Sequence, residues 1–247
     1  MKKLIGATCI AVLSPVSLAD TILGVYAGVG SWNADYDGDT GAVSVDLDEL
    51  GLEDETNNFF YVALEHPVPF LPNIRVQHTN ITSKEQGQLT TEFRLDDITF
   101  GADESVVTDL DLSHTDATLY YELADNWVNF DLGLTFRLFD GQASVSTLDG
   151  NISETAAQEG VVPMIYARAQ FDLPLTGLSV GGAANVTAYS GNSLTDFSAY
   201  AAYAFDAVVD LGVEVGYRRL QLELEDLDDL ETDLSLGGPY AALTMHF

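Results

Sequence analysis

A closed antiparallel β-barrel that spans a membrane is the fold this sequence predicts, and three observations predict it. Apolar and polar residues alternate with period two along most of the chain. Four short turn segments alternate with longer acidic segments. The last strand, residues 240–247, puts Leu243, Met245 and Phe247 on one face, and Ala242, Thr244 and His246 on the other. Past the N-terminal region no stretch approaches the ~18 uncharged apolar residues that a helical span needs. Closed barrels are the other way to satisfy every backbone group in lipid.

The elements follow in chain order. Met1-Lys2-Lys3 is a basic start, Leu4 to Val16 is mostly apolar, and Ser17-Leu18-Ala19 is a small-x-small site before Asp20. This reads as a secretory signal peptide over 1–19, because the apolar run is too short to span a bilayer. The barrel then occupies 20–247. Cys9 is the single cysteine and lies inside the signal segment, so the expected mature chain holds no disulfide.

Turn residues mark 66–73, with Pro67, Pro69 and Pro72, and then 124–126, 172–177 and 205–208. Proline cannot donate to a sheet ladder, so the first of these is a firm break. Between them lie the acidic segments 34–56, 84–113, 140–158 and 225–232, with the short link 190–193 in the same alternate set. Short periplasmic turns and long extracellular loops are the pattern of outer-membrane barrels. Ten strands result, near 21–33, 57–66, 73–83, 114–124, 126–139, 159–172, 176–189, 194–205, 208–224 and 233–247. Residues 88–97 and 104–112 extend the third and fourth strands beyond the membrane. Were they a separate crossing hairpin the count would be twelve; were two segments not strands it would be eight.

The faces separate. Phe130, Leu132, Leu134, Phe136 and Leu138 oppose Asn129, Asp131, Gly133, Thr135 and Arg137. The apolar row must face lipid, since a charge there near the midplane costs roughly 2–4 kcal/mol. The same phase turns Arg75, Arg137, Arg168 and Arg218 inward, with Glu65, Asp116, Glu122, Asp131, Asp196 and Glu214, and with Tyr26, Tyr120, Tyr166 and Tyr200. A narrow interior cannot leave such charges uncompensated. The expectation is therefore a lumen filled by arginine–carboxylate pairs and tyrosines, which serves packing and register or, as the functional reading, gates a pore.

Charge excludes some functions. Nine basic residues stand against 39 acidic ones, a net charge of −30. Nucleic-acid binding needs Lys and Arg for phosphates and is excluded. No glycine-rich phosphate loop and no Cys/His metal set appears. Asp35, Asp37, Asp39 and Asp46 approach a calcium-loop spacing, but Thr40 stands where glycine is needed and Asp46 replaces the bidentate glutamate. That leaves a weaker Ca or Mg site in an acidic outer loop as the one cofactor expectation. Residues 35–55 and 223–233 carry nine and seven acidic side chains and no basic one. Barrel closure would set these two segments side by side. Of the four histidines, His114 shares a face with Asp116 near the outer rim. The pair matches, in residue type alone, the rim chemistry of the ten-stranded omptin proteases, with no omptin motif beside it.

Two resemblances add to this reading. The strand ending Leu243, Met245, Phe247 looks like the C-terminal assembly signal of bacterial outer-membrane barrels. The segment Leu64-Glu65-His66-Pro67-Val68-Pro69-Phe70-Leu71-Pro72-Asn73-Ile74-Arg75, then Leu119-Tyr120-Tyr121-Glu122, then Leu236-Gly237-Gly238-Pro239-Tyr240, resembles a family of small proteobacterial outer-membrane barrels with a C-terminal Gly-Gly pair. That resemblance implies a Gram-negative outer membrane, with lipid, lipopolysaccharide and the barrel-assembly machinery as partners, and no substrate or reaction. The function expected is a non-enzymatic outer-membrane barrel, structural or interactive through its acidic outer segments. A narrow porin is the first alternative and a rim protease the second.

Overall fold

The structure, a computed structural model, describes residues 23–40, 45–95, 98–205, 210–227 and 230–247. For 156, 158, 225–227, 230 and 231 it describes the backbone alone. The expected signal peptide lies outside the described residues, as do 206–208 of the fourth short turn. In chain order the elements are β1 (Gly24–Thr40), β2 (Val45–Asp46), a 3-10 turn (Leu47–Leu50), β3 (Glu55–Glu65), β4 (Asn73–Asn80), β5 (Thr82–Gln88), β6 (Phe93–Leu95), β7 (Ile98–Phe100), β8 (Ser105–Asp111), β9 (His114–Ala124), β10 (Val128–Thr147), β11 (Ser153–Asp172), β12 (Leu178–Tyr189), β13 (Asn192–Phe205), β14 (Asp210–Leu227) and β15 (Leu230–His246).

Ten of these strands close an antiparallel barrel in the order β1, β3, β4, β9, β10, β11, β12, β13, β14, β15 and back to β1. The seam is a ladder from Tyr26↔His246 to Thr40↔Thr232, interrupted only at Asn33 and Ala34, opposite Pro239 and Gly238. It begins with the Phe247 amide donating to the Val25 carbonyl at 3.0 Å and the Val25 amide donating back at 3.2 Å. Pro239 has no amide hydrogen to give, and the close approach beside it depends on glycine. A Cβ on Gly238 would stand 1.8 Å from the Asn33 carbonyl oxygen.

On β10 the outward residues from Phe130 to Leu138 are apolar and exposed, and Asp140 ends the run. Val29 on β1, Tyr217 on β14 and Leu243 and Met245 on β15 continue the same belt. Nine residues per strand is the length of a transmembrane β-strand. The belt is therefore a lipid-facing surface of transmembrane type.

Beyond the belt the wall continues as strand, where the acidic composition suggests loops. β1 runs on to Thr40, β10 and β11 reach Thr147 and Ser153, and β14 and β15 reach Leu227 and Leu230. The reason is alternation. Asp35 and Asp37 point out while Ala34 and Tyr36 point in and are buried. Acidity here marks water on the outside of a sheet. The segment 82–111 also stays out of the membrane. β5 continues β4, and β8 continues β9 and pairs with β10 from Gln142↔Asp111 to Thr147↔Val106. The count is thus ten, not twelve. The free edge of β5 is covered by the 3-10 turn, which packs so closely that a Cβ on Gly87 would meet the Glu49 carbonyl oxygen at 2.1 Å.

The inside of this extension is apolar. Leu47, Leu50, Ile81, Leu89, Phe93, Phe100 and Val106 are buried with Trp32, Met164 and Leu236 in one cluster. The small β6–β7 hairpin supplies Phe93 and Phe100, whose rings lie 6.2 Å apart. The hairpin end of the barrel is therefore stoppered by hydrophobic side chains.

Candidate functional site

Beneath the stopper the lumen changes from apolar to charged. Arg137 and Asp116 are direct cross-strand partners on β10 and β9. Arg137 Nε and Nη2 donate to the two oxygens of Asp116, each at 2.7 Å. Nη2 also donates across the lumen to Asp196 Oδ2 on β13 at 2.6 Å. Arg218, on β14, donates to both oxygens of Asp196 at 2.9 and 2.6 Å. Its Nη1 reaches Thr79 Oγ1 on β4 at 3.3 Å, and its guanidinium lies 4.8 Å over the Trp32 ring. Two cations and two anions balance, and all four side chains are buried. The cluster ties β4, β9, β10, β13 and β14 across the bore, with the Thr118–Thr135–Asn185 hydrogen bonds at 2.8 and 2.6 Å beside it.

Toward the short-turn end the charges are held differently. Arg168 Nε donates to Tyr200 Oη at 3.0 Å and Nη2 to Gln170 Oε1 at 2.6 Å, while its carboxylate, Asp131, stands at 3.4 Å. Arg75 has Gln77 Oε1 at 2.8 Å and lies 3.9 Å over the Tyr61 ring. Glu65 accepts from Tyr120 Oη at 2.7 Å, Glu214 from Tyr240 Oη at 2.6 Å, and Glu122 from Asn73 Nδ2 at 3.1 Å. The lumen thus divides the expected arginine–carboxylate pairs and tyrosines between two layers. Asp116, Asp131, Asp196, Arg137, Arg168 and Arg218 form ion pairs, whereas Glu65, Glu122, Glu214 and Arg75 are held by tyrosine and amide side chains. A chain this short of cations must satisfy its remaining carboxylates with neutral donors. Between the two layers lies a cavity of about 100 Å³, lined by Arg75, Arg168, Tyr61, Tyr166, Tyr200 and Glu214 among others.

His114, Asp116 and Asp196 bring ligand-type atoms within 4.8 Å of one another. Their chemistry does not suit a metal ion. All four carboxylate oxygens already accept from Arg137 or Arg218, and a divalent cation would sit against two guanidinium groups. The site does not suit a rim protease either. His114 is buried, its Nδ1 donates to the Leu112 carbonyl at 2.9 Å, and the Phe139 ring packs 5.4 Å away. The His114–Asp116 pair lies under the apolar stopper, where the sequence placed it at an open rim.

The calcium-like spacing is not realised as a loop. Asp35, Asp37 and Asp39 follow one another on the outer face of β1, about 7 Å apart. Asp46 joins them by pairing with Asp39. Asp39 also pairs with Asp233, and Asp233 with Glu223, so Asp46, Asp39, Asp233 and Glu223 form one cross-strand row. The side-by-side placement of the two acidic segments is real; the side chains of 225–231 lie outside the described set. Above the belt, a hydrogen bond with Asp54 raises the pKa of Asp35. The Glu49 carboxylate accepts from the Thr90 amide at 2.6 Å and the Thr90 hydroxyl at 2.7 Å, which lowers its pKa. That contact straps the 3-10 turn to the segment leading into β6.

Leu243, Met245 and Phe247 line the exposed outer face at the seam. The Glu65-His66-Pro67 turn has a local cause. His66 Nδ1 accepts from the Val68 amide at 3.3 Å, so its Nε2–H donates to the Pro72 carbonyl at 3.2 Å. Sequence reasoning missed Trp32, Thr79 and Asn185 as lumen partners. Trp32 shares the phase of Tyr26 and was legible; the others carry no charge to draw the eye.

No protein-family model matches the chain, and no protein of curated function matches it. Among solved structures, it is similar to the transport unit of the autotransporter AIDA-I from Escherichia coli, with TM-score 0.41, 11% identity, and coverage of 95% of this chain and 92% of that one. The outer-membrane protease OmpT from Escherichia coli gives TM-score 0.41 at 12% identity, covering 90% and 95%. The toluene transporter TodX of P. putida gives 0.30 at 9%, covering 91% and 89%. Likeness this low assigns no chemistry to this chain.

Proposed function

We propose that the chain is an outer-membrane β-barrel of a Gram-negative bacterium, shut along its lumen and without catalytic activity, acting structurally or through its acidic outer wall. The short-turn end then faces the periplasm and the hairpin end the outside. The observation that carries this reading is the double closure of the bore. An apolar stopper built from 45–52, 82–111 and the upper strands sits on a neutral Arg137–Asp116–Asp196–Arg218 cluster. A ten-stranded barrel is mostly filled by side chains, whereas aqueous channels need roughly sixteen strands. The wall carries many more acids than bases, which favours the divalent cations that bridge lipopolysaccharide phosphates. The Gly-Gly pair before Pro239, within β15, and the Glu65-His66-Pro67 turn fit the small proteobacterial barrels named above, and the outward Leu243, Met245 and Phe247 suit recognition by the barrel-assembly machinery.

Planar-bilayer recording on the purified, heat-modifiable protein tests this. The expected outcome is no stable conductance. Reproducible steps of nanosiemens size would replace this reading with a porin, and cleavage of peptides by the lipopolysaccharide-loaded protein would replace it with a protease.

A further inference from the structure

We infer that the lumenal cavity below the arginine–aspartate cluster is a binding site for a small protonated oxyanion, hydrogen phosphate in chemical class, entering from the periplasmic side. The periplasmic direction rests on the orientation proposed above; the binding chemistry does not.

The lumenal arginines fall into two kinds. Arg137 and Arg218 each hold carboxylates through Nε and Nη2, at 2.6–2.9 Å. Arg75 has no carboxylate partner among the described residues, and Arg168 has one only at 3.4 Å. Both line the same cavity with Tyr61, Tyr166 and Tyr200. Arg75, Arg168 and Glu214 are all electrostatic neighbours of Tyr61 and of Tyr200, so the three charges surround one small space. Among the described residues no acceptor takes the Tyr61 or Tyr166 hydroxyl. The cavity wall therefore offers more donors than acceptors: the Arg75 guanidinium, the N–H groups that Arg168 does not give to Tyr200, Gln170 and Asp131, and two phenols.

The acceptors point the other way and narrow the ligand. Asp116 and Asp196 also reach this cavity, but their oxygens are already taken. Glu214 alone keeps an oxygen free, since Tyr240 occupies only Oε1. An oxyanion without a proton would set its charge against that carboxylate. An oxyanion that keeps a proton can donate to Glu214 while its charged oxygens meet the guanidinium groups in the bidentate manner arginine favours. Hydrogen phosphate has both; sulfate has only the second. The size agrees. About 100 Å³ is roughly seven to ten times the space that one water needs, enough for a five-heavy-atom ion. Position sets the side of entry. Arg75 pairs with Thr118, one inward position nearer the short turns than the Gln77↔Asp116 pair, so the cavity lies on the periplasmic side of the cluster that closes the bore.

The test is calorimetric titration of the full-length refolded barrel with sodium phosphate, sodium sulfate and sodium chloride at equal ionic strength, near pH 6.5. Saturable binding of phosphate, at least about tenfold tighter than sulfate, is expected. Arg75→Gln should weaken phosphate about tenfold or more. Tyr166→Phe, which keeps the ring, should weaken it a few fold. Glu214→Gln should shrink the preference over sulfate. Arg219→Gln, on the outer wall, should change nothing. Each variant is first checked for the heat-modifiable barrel band; if Arg75→Gln fails it, Tyr166→Phe decides. No saturable phosphate heat, or equal loss in Arg75→Gln and Arg219→Gln, overturns the site. Bilayer conductance is a separate readout, so the failure of the closed-barrel reading and the failure of this site are distinguishable.

Discussion

Asp196 holds two arginines at once: Arg137 from β10 and Arg218 from β14 both donate to its Oδ2 at 2.6 Å. One carboxylate thereby joins three strands across the bore. Asp116, in contrast, serves Arg137 alone. Replacing Asp196 by Asn leaves Arg218 without a carboxylate and Arg137 with one. The expected loss is about 3–5 kcal/mol. Asp116→Asn should cost clearly less, because Arg137 keeps Asp196. Urea unfolding in lipid vesicles measures both. Equal losses would mean that the bridge across the bore contributes nothing.

The seam makes a second prediction. A methyl on Gly238 meets the Asn33 carbonyl at 1.8 Å, so Gly238→Ala must push β15 from β1 at the closing ladder. Gly160, on β11, has nothing within 4 Å of an added Cβ. Gly238→Ala should leave little heat-modifiable barrel, while Gly160→Ala should match the parent. Normal amounts in both would show that the seam relaxes around a methyl group.

Phe93 and Phe100 sit at the centre of the outer stopper. Phe→Ala at a buried site costs about 3–5 kcal/mol, and here the loss should be local because the β6–β7 pair is a separate two-stranded sheet. Phe100→Ala should expose 89–104 to limited proteolysis while the transmembrane strands stay protected. Conductance should remain absent, since the arginine–aspartate cluster still closes the bore.

Two exposed carboxylates predict opposite pH effects at the outer wall. Glu49 has its pKa lowered by Thr90, so its strap is intact above the ordinary carboxylate pKa and is lost as pH falls from that value through the lowered one. Asp35 has its pKa raised through Asp54, so that contact is present at low pH and is lost as pH rises through and beyond the ordinary value. Hydrogen exchange at the Thr90 amide should quicken, relative to intrinsic rates, as pH drops from neutral toward about 4. Glu49→Gln should remove that trend. A trend that survives Glu49→Gln would assign it to another group.

The row Asp46, Asp39, Asp233, Glu223 sets like charges directly opposite one another on four strands. Such pairs are destabilising and screened by salt. Backbone exchange at 37–40 and 232–235 should slow as sodium chloride rises from about 10 to 200 mM. Asp39→Asn should flatten the response. Calcium that protects no better than sodium at equal ionic strength would reduce the row to screening alone.

The sequence by itself determined the membrane-facing half of this protein. Lipid and water impose opposite demands on alternate residues, so period two places Phe130 through Leu138 outside and Arg137 and Asp131 inside without any knowledge of neighbours. The proline turn at 67–72 and the short turns after it then fix the strand order, because antiparallel neighbours in sequence are neighbours in space. Tertiary structure alone decided what the inside does. Arg137 and Asp196 are 59 positions apart, and Arg218 and Thr79 are 139 apart. Whether such groups meet depends on the stagger of strands around the whole barrel, which no local pattern encodes. The same holds for the acidic segments. Asp35 and Asp37 read as loop because a water-facing strand and a loop share a composition; only the apolar filling behind them, drawn from Leu47, Phe93, Phe100 and Val106 in three separate segments, makes them a wall.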